Sequence, residues 1–149
     1  MRVMIAAFAV VGLLACVGCQ NDQYAEMLVK DDPGRLATAL TGTGDSLIKQ
    51  KRIDLHKQYA MSDKVMIDTW VIRARGGKPS AGTMVLLHGF RESKAFYLSA
   101  GEKLAKLGYD VVLVDLRAHG DSTGKYTSYG ANESKDVQAV MKQLQQEKA

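Results

Sequence analysis

Two apolar runs, each followed by a polar loop, dominate the hydrophobic pattern of the chain. Residues 84–87 are uniformly apolar and stop at His88-Gly89-Phe90, while residues 111–114 lead through Asp115 into a second polar loop. Short apolar runs bounded by turn residues are typical of strands buried in a parallel sheet. Ligands of such sheets bind beyond the carboxyl ends of the strands, so function is expected in these two loops.

Helical spacing follows each loop. A set of apolar residues at steps of four, four and three predicts a helix with these residues on one face, ended by Gly108: Phe96, Ala100, Leu104 and Leu107. A second set with helical spacing predicts another helix near residue 140: Val137, Val140, Met141 and Leu144. Upstream, β-rich runs at residues 52–56 and 65–72 predict an antiparallel hairpin. The predicted order is β, β, β, α, β, α, which indicates the α/β class.

The N-terminus departs from this pattern. Met1 and Arg2 precede an apolar run over residues 3–14 that is too short to span a bilayer, and small residues follow it. This is the pattern of a secretory signal peptide. Both cysteines, Cys16 and Cys19, lie at its end, so the rest of the chain has no disulfide framework, thiol chemistry or cysteine metal site.

Residues 13–16, Leu-Leu-Ala-Cys, resemble the lipobox of bacterial lipoproteins, in which the cysteine becomes the acylated first residue of the mature chain. The resemblance implies a signal peptide over residues 1–15, lipidation of Cys16 with Cys19 as the alternative, and a tether with an N-terminal lead-in over residues 16–50. It also implies export to the bacterial cell envelope, where the lipid anchor makes the membrane a partner. An ordinary cleaved signal with incidental cysteines is the remaining alternative.

Composition narrows the choice of partners. The 149 residues are 46% hydrophobic, which suits one globular domain, and their formal net charge of +4 comes from lysines and arginines spread among acidic residues. We therefore expect no nucleic acid partner. The spacing of His, Asp and Glu predicts no metal site and no cofactor. Residues 120–125 are similar to a phosphate-binding loop but have the wrong glycine spacing and lack its Ser or Thr.

Residues 51–147 resemble the N-terminal half of an α/β-hydrolase, in the branch of the serine aminopeptidases (S33-like), esterases and lipases. Three motifs carry the resemblance, in the family's order. They are His88-Gly89 after the third strand, residues 115–122 (Asp-Leu-Arg-Ala-His-Gly-Asp-Ser) after the fourth, and Gly130, Glu133 and Asp136 at the last helix. One departure is Ala118, where the family has glycine. The resemblance implies an α/β-hydrolase domain over residues 51–149.

The resemblance also implies a role for each loop. Acyl transfer requires backbone N–H donors aimed at the oxyanion, and in this family one donor comes from the loop after the third strand. That donor is the N–H of Phe90; Gly89 permits the close backbone approach, and His88 shapes the loop. The second loop is expected to brace the floor of the site through five residues: Asp115, Arg117, His119, Gly120 and Ser122.

The family's nucleophile lies in a Gly-x-Ser-x-Gly turn that leads from the fifth strand into a helix, and the sequence predicts no such strand-to-helix turn. The prediction is therefore an α/β-hydrolase fold truncated after the second core helix, with strands in the order 1-2-4-3 and the nucleophile strand absent. The strand at residues 83–88 would then be an exposed edge.

The expected function is that of a fragment of a membrane-anchored serine hydrolase, inactive alone. A small ester or amide would be its substrate, through an acyl-enzyme, only when the missing half is present. Two alternatives remain open: a non-catalytic lipoprotein that uses the half-fold as a binding or assembly module, and an anchored half completed by a separately encoded partner.

Overall fold

The computed structural model describes Thr38 and residues 41–148. The predicted signal peptide, both cysteines and most of the predicted tether lie outside the described residues. The elements in chain order are α1 (Gly44–Lys49), β1 (Leu55–Ala60), β2 (Met66–Ile72), β3 (Thr83–Leu87), a 3-10 helix (Lys94–Tyr97), α2 (Leu98–Lys106), β4 (Asp110–Val114) and α3 (Glu133–Lys148). No helix in the described ranges is long and apolar enough to cross a membrane.

The predicted hairpin is present, with a shifted first strand. β1 pairs antiparallel with β2, from Leu55 opposite Val71 to Ala60 opposite Met66. The strand expected at residues 52–56 begins only at Leu55, because Ile53 turns into the core and the Asp54 carboxylate accepts the Arg73 N–H at 2.7 Å. The hairpin therefore extends further toward its turn than the apolar pattern indicated.

The four strands form one sheet in the order β1-β2-β4-β3, which confirms the predicted arrangement. β4 is central and entirely buried, antiparallel to β2 and parallel to β3. β3 lies at the edge of the described sheet, and its apolar side chains Met84 and Leu87 are 39% and 44% exposed. An apolar strand with an unpaired edge is a surface on which another strand can pair.

Helix α2 forms where predicted, but the face that the apolar spacing marks is largely exposed. Phe96 and Leu107 are 59% and 72% exposed, and the residues that face the core are Ala95, Leu98, Gly101 and Ala105. Gly101 explains the difference, since a Cβ at this position would lie 3.1 Å from Ile72 Cδ1. The helix packs close to the sheet through its small residues, and the bulky Phe96 and Leu107 point away from it. Gly108, with φ of +96°, ends the helix as expected.

The two longer helices cover opposite faces of the sheet. On one face α2 packs over Trp70, Ile72 and Leu113, and on the other Val140 and Leu144 of α3 pack over strand residues such as Val112. The apolar spacing predicted for α3 is thus confirmed for its buried residues. This arrangement leaves the loops after β3 and β4 at one end of the sheet.

Helix α1 packs with the domain, although residues up to 50 were expected to form a tether and lead-in. Leu47 is fully buried in the same core as Trp70. Gly44 lies so close to His56 that a Cβ would come within 2.3 Å of the imidazole ring. The folded unit therefore includes residues 43–50.

Candidate active site

The loops after β3 and β4 are joined through the ring of His88. Its Nε2 accepts the Leu116 N–H at 2.9 Å, so in the neutral ring the proton lies on Nδ1 and is donated to the Gly89 carbonyl at 2.8 Å. Burial lowers the pKa of His88, which favours this neutral form. Since both ring nitrogens are engaged, the ring holds the loops in place and has no nitrogen left to take a proton from a nucleophile.

The loop after β3 closes as a tight turn from Gly89 to Glu92. The Glu92 N–H donates to the Gly89 carbonyl at 3.2 Å, and the Gly89 N–H donates to the Glu92 carboxylate at 2.8 Å. Phe90 lies inside this turn, and its own N–H makes no hydrogen bond to any described residue. The N–H expected to act as oxyanion donor is therefore available to a ligand.

A groove of about 630 Å³ lies beside this turn, between the edge strand β3 and helix α3. Most of its lining side chains are apolar or aromatic, among them Leu87, Phe90, Leu116, Tyr129 and Val137. The rings of Phe90 and Tyr129 stack with their centroids 5.8 Å apart. We call this space the apolar groove; it combines an apolar surface with a free backbone donor, as ligand sites commonly do.

Glu133, at the start of α3, fixes the loop that carries Tyr129. Its carboxylate accepts the backbone N–H groups of Ser128 and Gly130 at 2.7 and 2.8 Å, and the hydroxyl of Ser128 at 2.6 Å. Burial alone would raise the pKa of Glu133, but these donors outweigh it and lower the pKa to about 2. The charged carboxylate is thus part of the structure of the groove wall.

Replacing Glu133 by Gln is expected to cost about 2 kcal/mol of unfolding free energy at neutral pH, because a donor amide group replaces one acceptor oxygen. The folded pKa of Glu133 lies below its ordinary value of 4.5, so its stabilisation is present above pH 4.5 and is lost as pH falls toward about 2. Chemical unfolding at several pH values should therefore show the two proteins converging in that window. A difference that stays constant from pH 7 to pH 2 would contradict this role.

Arg117 connects three parts of the chain. Its guanidinium forms a bidentate pair with Asp136 of α3, at 2.7 and 2.8 Å, and donates to Asp63 in the β1–β2 turn at 3.0 Å. Hydrogen bonds to Asp136 raise the pKa of Arg117 above its already high value. The Gly130, Glu133 and Asp136 motif thus has two separate functions, since Glu133 holds the groove loop and Asp136 holds Arg117.

The Asp115 carboxylate is buried under the second loop and is fully partnered. It accepts the N–H of Lys94 at 2.7 Å and that of Asp121 at 2.8 Å, and it forms an ion pair with the Lys94 ammonium. The Ser122 hydroxyl donates to the Asp115 carbonyl at 2.7 Å and accepts the Asp68 N–H at 2.8 Å. These contacts tie the loop to β2 and to the segment before α2.

Lys94 is a buried cation that sequence reasoning missed. Its ammonium lies 2.8 Å from Asp68, 3.0 Å from Asp121 and against Asp115, and 4.5 Å from the centre of the Trp70 ring. Burial opposes its charge, but Asp115 and Asp68 outweigh burial and raise the pKa of Lys94. The three carboxylates lie within 4.8 Å of one another, as metal ligands can, yet the cation among them is the lysine itself.

Gly120 lies where no side chain fits. A Cβ at this position would come within 2.1 Å of Asp115 Oδ2, and the partners of that carboxylate prevent it from moving aside. Ala118 in the same loop has φ of +60°, a left-handed conformation that explains why glycine is usual there.

We expect Gly120→Ala to lower the unfolding free energy by about 2–3 kcal/mol, through displacement of Asp115 from its donors. Gly77→Ala is a matched control, because Gly77 also has positive φ (+70°) but has no atom within 4 Å of its Cβ position. The control should lose about 1 kcal/mol, the cost of the left-handed backbone alone. Equal losses in urea denaturation would show that the clash with Asp115 does not matter.

The structure brings the predicted residues of both loops together at one end of the sheet. His119 packs against His88 with ring centroids 4.8 Å apart, and its Nδ1 lies 2.9 Å from the Arg117 carbonyl. The roles assigned to these residues stay predictions. Sequence reasoning did not identify four residues that organise the site: Asp68, Glu92, Lys94 and Tyr129. A lysine and a glutamate beside a predicted loop read as solvent-exposed, and nothing in their spacing indicated otherwise.

The described serines do not supply a nucleophile of the expected kind. Ser122 is buried with its hydroxyl bonded on both sides, Ser128 donates to Glu133, and Ser93 is fully buried. One stretch, Gly120-Asp121-Ser122-Thr123-Gly124, has the Gly-x-Ser-x-Gly spacing. It lies in the loop after β4 and does not lead directly into a helix, and Ser122 is only 2% exposed.

The chain is similar in sequence to a family of serine aminopeptidases and in structure to an esterase. The model of the family described as serine aminopeptidase, S33, matches residues 78–149. The Pyrococcus furiosus esterase Pf2001 superimposes with a TM-score of 0.57 and 31% identity, covering 79% of this chain and 42% of the esterase. A second crystal form of that esterase gives a TM-score of 0.54 and 35% identity, covering 66% of this chain and 38% of the esterase.

A curated relative of unknown function extends the comparison. The uncharacterised protein YqkD of Bacillus subtilis is 27% identical over 112 residues, which cover 68% of this chain and 37% of YqkD. The chain therefore spans about two fifths of the length of the proteins it matches.

Proposed function

We propose that this chain, a member of the α/β-hydrolase superfamily, supplies the oxyanion-binding half of a serine-hydrolase site that acts on a small ester or amide. The observation that carries the proposal is the N–H of Phe90, which donates to no described residue and lies in the turn after β3 beside the apolar groove. The fold, the matched family and the esterase neighbours support the class of reaction.

The chemistry follows from the position of this donor. When a serine Oγ attacks the carbonyl carbon of the substrate, its proton passes to a histidine base, the new C–O bond forms, and the C=O π-electrons move to the carbonyl oxygen, which becomes an oxyanion. The Phe90 N–H would donate to that oxygen, and a second donor would come from the residue after the nucleophile. Neither His88 nor His119 would act as the base, since His88 has both ring nitrogens engaged and His119 packs against it with Nδ1 at the Arg117 carbonyl.

The nucleophile would arrive on a strand that pairs in parallel with β3, which is an edge strand among the described residues. This strand and the following helix would cover the exposed side chain of Leu87 and the part of the groove beside Val137. The Gly-x-Ser-x-Gly turn would then lie at the carboxyl end of the sheet, next to Phe90. We propose that these residues, with the catalytic acid and histidine, come from sequence beyond the 149 residues or from a separate chain.

A chimera tests this proposal. The 149 residues would be followed by the part of the Pyrococcus furiosus esterase that lies C-terminal to its matched segment, and hydrolysis of p-nitrophenyl acetate would be measured. We expect the chimera to hydrolyse the ester and the 149-residue chain to remain at background. The same chimera with the nucleophile serine replaced by Ala is the control. Equal hydrolysis by the chain alone, or a cooperatively folded chimera without activity, would reject the proposal.

The coding DNA gives an independent test of fragment status. A Gly-x-Ser-x-Gly motif followed by Asp and His codons downstream of codon 149, in any frame, would support an interrupted hydrolase. A separately encoded partner would instead co-purify with this chain. A non-catalytic binding or assembly module predicts a monodisperse, cooperatively folded 149-residue protein that needs neither.

We further propose that a lipid on Cys16 anchors the protein to a membrane of the bacterial cell envelope. The support is the Leu-Leu-Ala-Cys sequence at residues 13–16 behind a short apolar run. Metabolic labelling with radioactive palmitate should mark the wild type and the Cys19→Ser variant but not Cys16→Ser. Labelling that is lost only in Cys19→Ser would move the anchor to that residue, and no labelling of the wild type would remove it.

A further inference from the structure

Glu92 closes the turn that contains Phe90 from both ends. Its backbone N–H donates to the Gly89 carbonyl at 3.2 Å, and its carboxylate accepts the Gly89 N–H at 2.8 Å. Arg91, between Phe90 and Glu92, has a backbone φ of +61°, which residues other than glycine rarely adopt. A turn with such a backbone persists only where surrounding contacts hold it, and the two bonds to Glu92 are such contacts.

These bonds also fix the direction of the Phe90 N–H. The Gly89 carbonyl and the Phe90 N–H belong to one planar trans peptide unit, so they point in opposite directions. The carbonyl end receives two donors, the Glu92 N–H and His88 Nδ1. The N–H end is held in a single orientation as a result, although it makes no hydrogen bond of its own to a described residue.

The Glu92 carboxylate is in turn fastened to the core. The Tyr97 hydroxyl donates to the same carboxylate oxygen at 3.0 Å, and the Tyr97 ring packs against the core under α2. The Gly89 N–H and the Tyr97 hydroxyl both lower the pKa of Glu92, so the group is charged at neutral pH. The Tyr97 hydroxyl and the Glu92 carboxylate therefore link the core to the Gly89 N–H, which lies in the peptide unit just before the one that carries the Phe90 N–H.

We infer that Glu92, supported by Tyr97, is the positioning residue that orients the Phe90 N–H toward the developing oxyanion. This rests on the proposed function of that N–H. In this role Glu92 does not contact the substrate. It holds the Phe90 N–H in the correct orientation before the reaction begins, and a donor stabilises the oxyanion most when it is oriented in advance.

The first test uses the full 149-residue chain, labelled with ¹⁵N and titrated by NMR from pH 7 to pH 2. The Gly89 and Phe90 amide signals should shift together as Glu92 is protonated, at a pH below the ordinary glutamate value of 4.5. His88 is the other group at this turn that titrates in this range, since hydrogen bonding to Glu92 raises the pKa of Tyr97 above its ordinary value of 10. Glu92→Gln should therefore abolish the shared titration while the response to His88 remains. Amides that stay unchanged through the protonation of Glu92, or that follow His88 alone, would overturn the inference.

The second test uses the esterase chimera and a double-mutant cycle. Glu92→Ala should lower kcat about tenfold with KM almost unchanged, because the lost alignment is worth about one hydrogen bond in the transition state. Glu92→Gln should recover part of the loss. Glu102→Ala, which removes an equal charge on α2, should leave kcat unchanged. In a chimera carrying Phe90→Pro, which has no N–H at this position, Glu92→Ala should cause no further loss.

The outcomes separate the inference from the proposed function. If Phe90→Pro leaves kcat unchanged, the oxyanion role of this loop is wrong whatever Glu92 does. If Phe90→Pro lowers kcat and Glu92→Ala does not, or if their effects simply add, the oxyanion role stands and the positioning role of Glu92 is rejected.

Discussion

The Lys94→Met variant is expected to lose about 3–5 kcal/mol of unfolding free energy at neutral pH. The ammonium is fully buried among Asp68, Asp115 and Asp121, and the first two of these carboxylates are fully buried as well. Methionine fills a similar volume but leaves the buried carboxylates without their cation. Uncompensated buried charge is among the few causes of losses this large.

Urea denaturation of both proteins measures this loss. Lys103→Met is the matched control, because Lys103 lies exposed on the adjacent helix α2 and should change stability by less than about 0.5 kcal/mol. A loss below about 1 kcal/mol at pH 7 would show that the buried carboxylates do not depend on Lys94.

In the esterase chimera, Phe90→Pro is expected to lower kcat by about 10²–10³ while KM changes little. Proline has no backbone N–H, so the change removes one oxyanion donor and leaves the other in place. A donor that bonds the oxyanion more strongly than the ground-state carbonyl affects kcat in this way.

Phe90→Ala is the control for the side chain, because it keeps the N–H and removes only the ring that stacks on Tyr129. It should alter KM through the apolar groove and lower kcat far less than proline does. Circular dichroism of both variants must show the wild-type fold. If alanine and proline cause the same loss of kcat, the ring matters rather than the N–H, and the oxyanion assignment fails.

The architecture could be predicted from the sequence because its signals are local. β3 and β4 are unbroken apolar runs, and the strand order follows from the resemblance carried by the two loop motifs and the motif at α3. The Gly130, Glu133 and Asp136 pattern was also recognised from the sequence. The contacts of its residues could not be predicted, because a spacing rule does not reveal that Asp136 pairs with Arg117 or that Glu133 binds a loop.

Some residues near the site are buried or exposed in the opposite way to what their hydropathy predicts. Lys94 is the most hydrophilic kind of residue and yet is fully buried, since its three partners come from β2 and from two positions in the loop after β4. Phe96 presents the opposite case, an aromatic residue at a helical position that is 59% exposed while Gly101 faces the sheet. Both follow from how closely segments approach in space, and a single sequence contains no measure of that distance.

We expect these 149 residues to supply an oxyanion donor but no reactive serine. Incubation with a fluorophosphonate probe, followed by mass spectrometry of the labelled peptide, distinguishes the two possibilities. No serine of the 149-residue chain should be labelled, whereas the nucleophile serine of the esterase part of the chimera should be labelled, more slowly when Phe90→Pro is present. Covalent labelling of any serine in the 149-residue chain itself would show that the chain carries its own nucleophile and that this expectation is wrong.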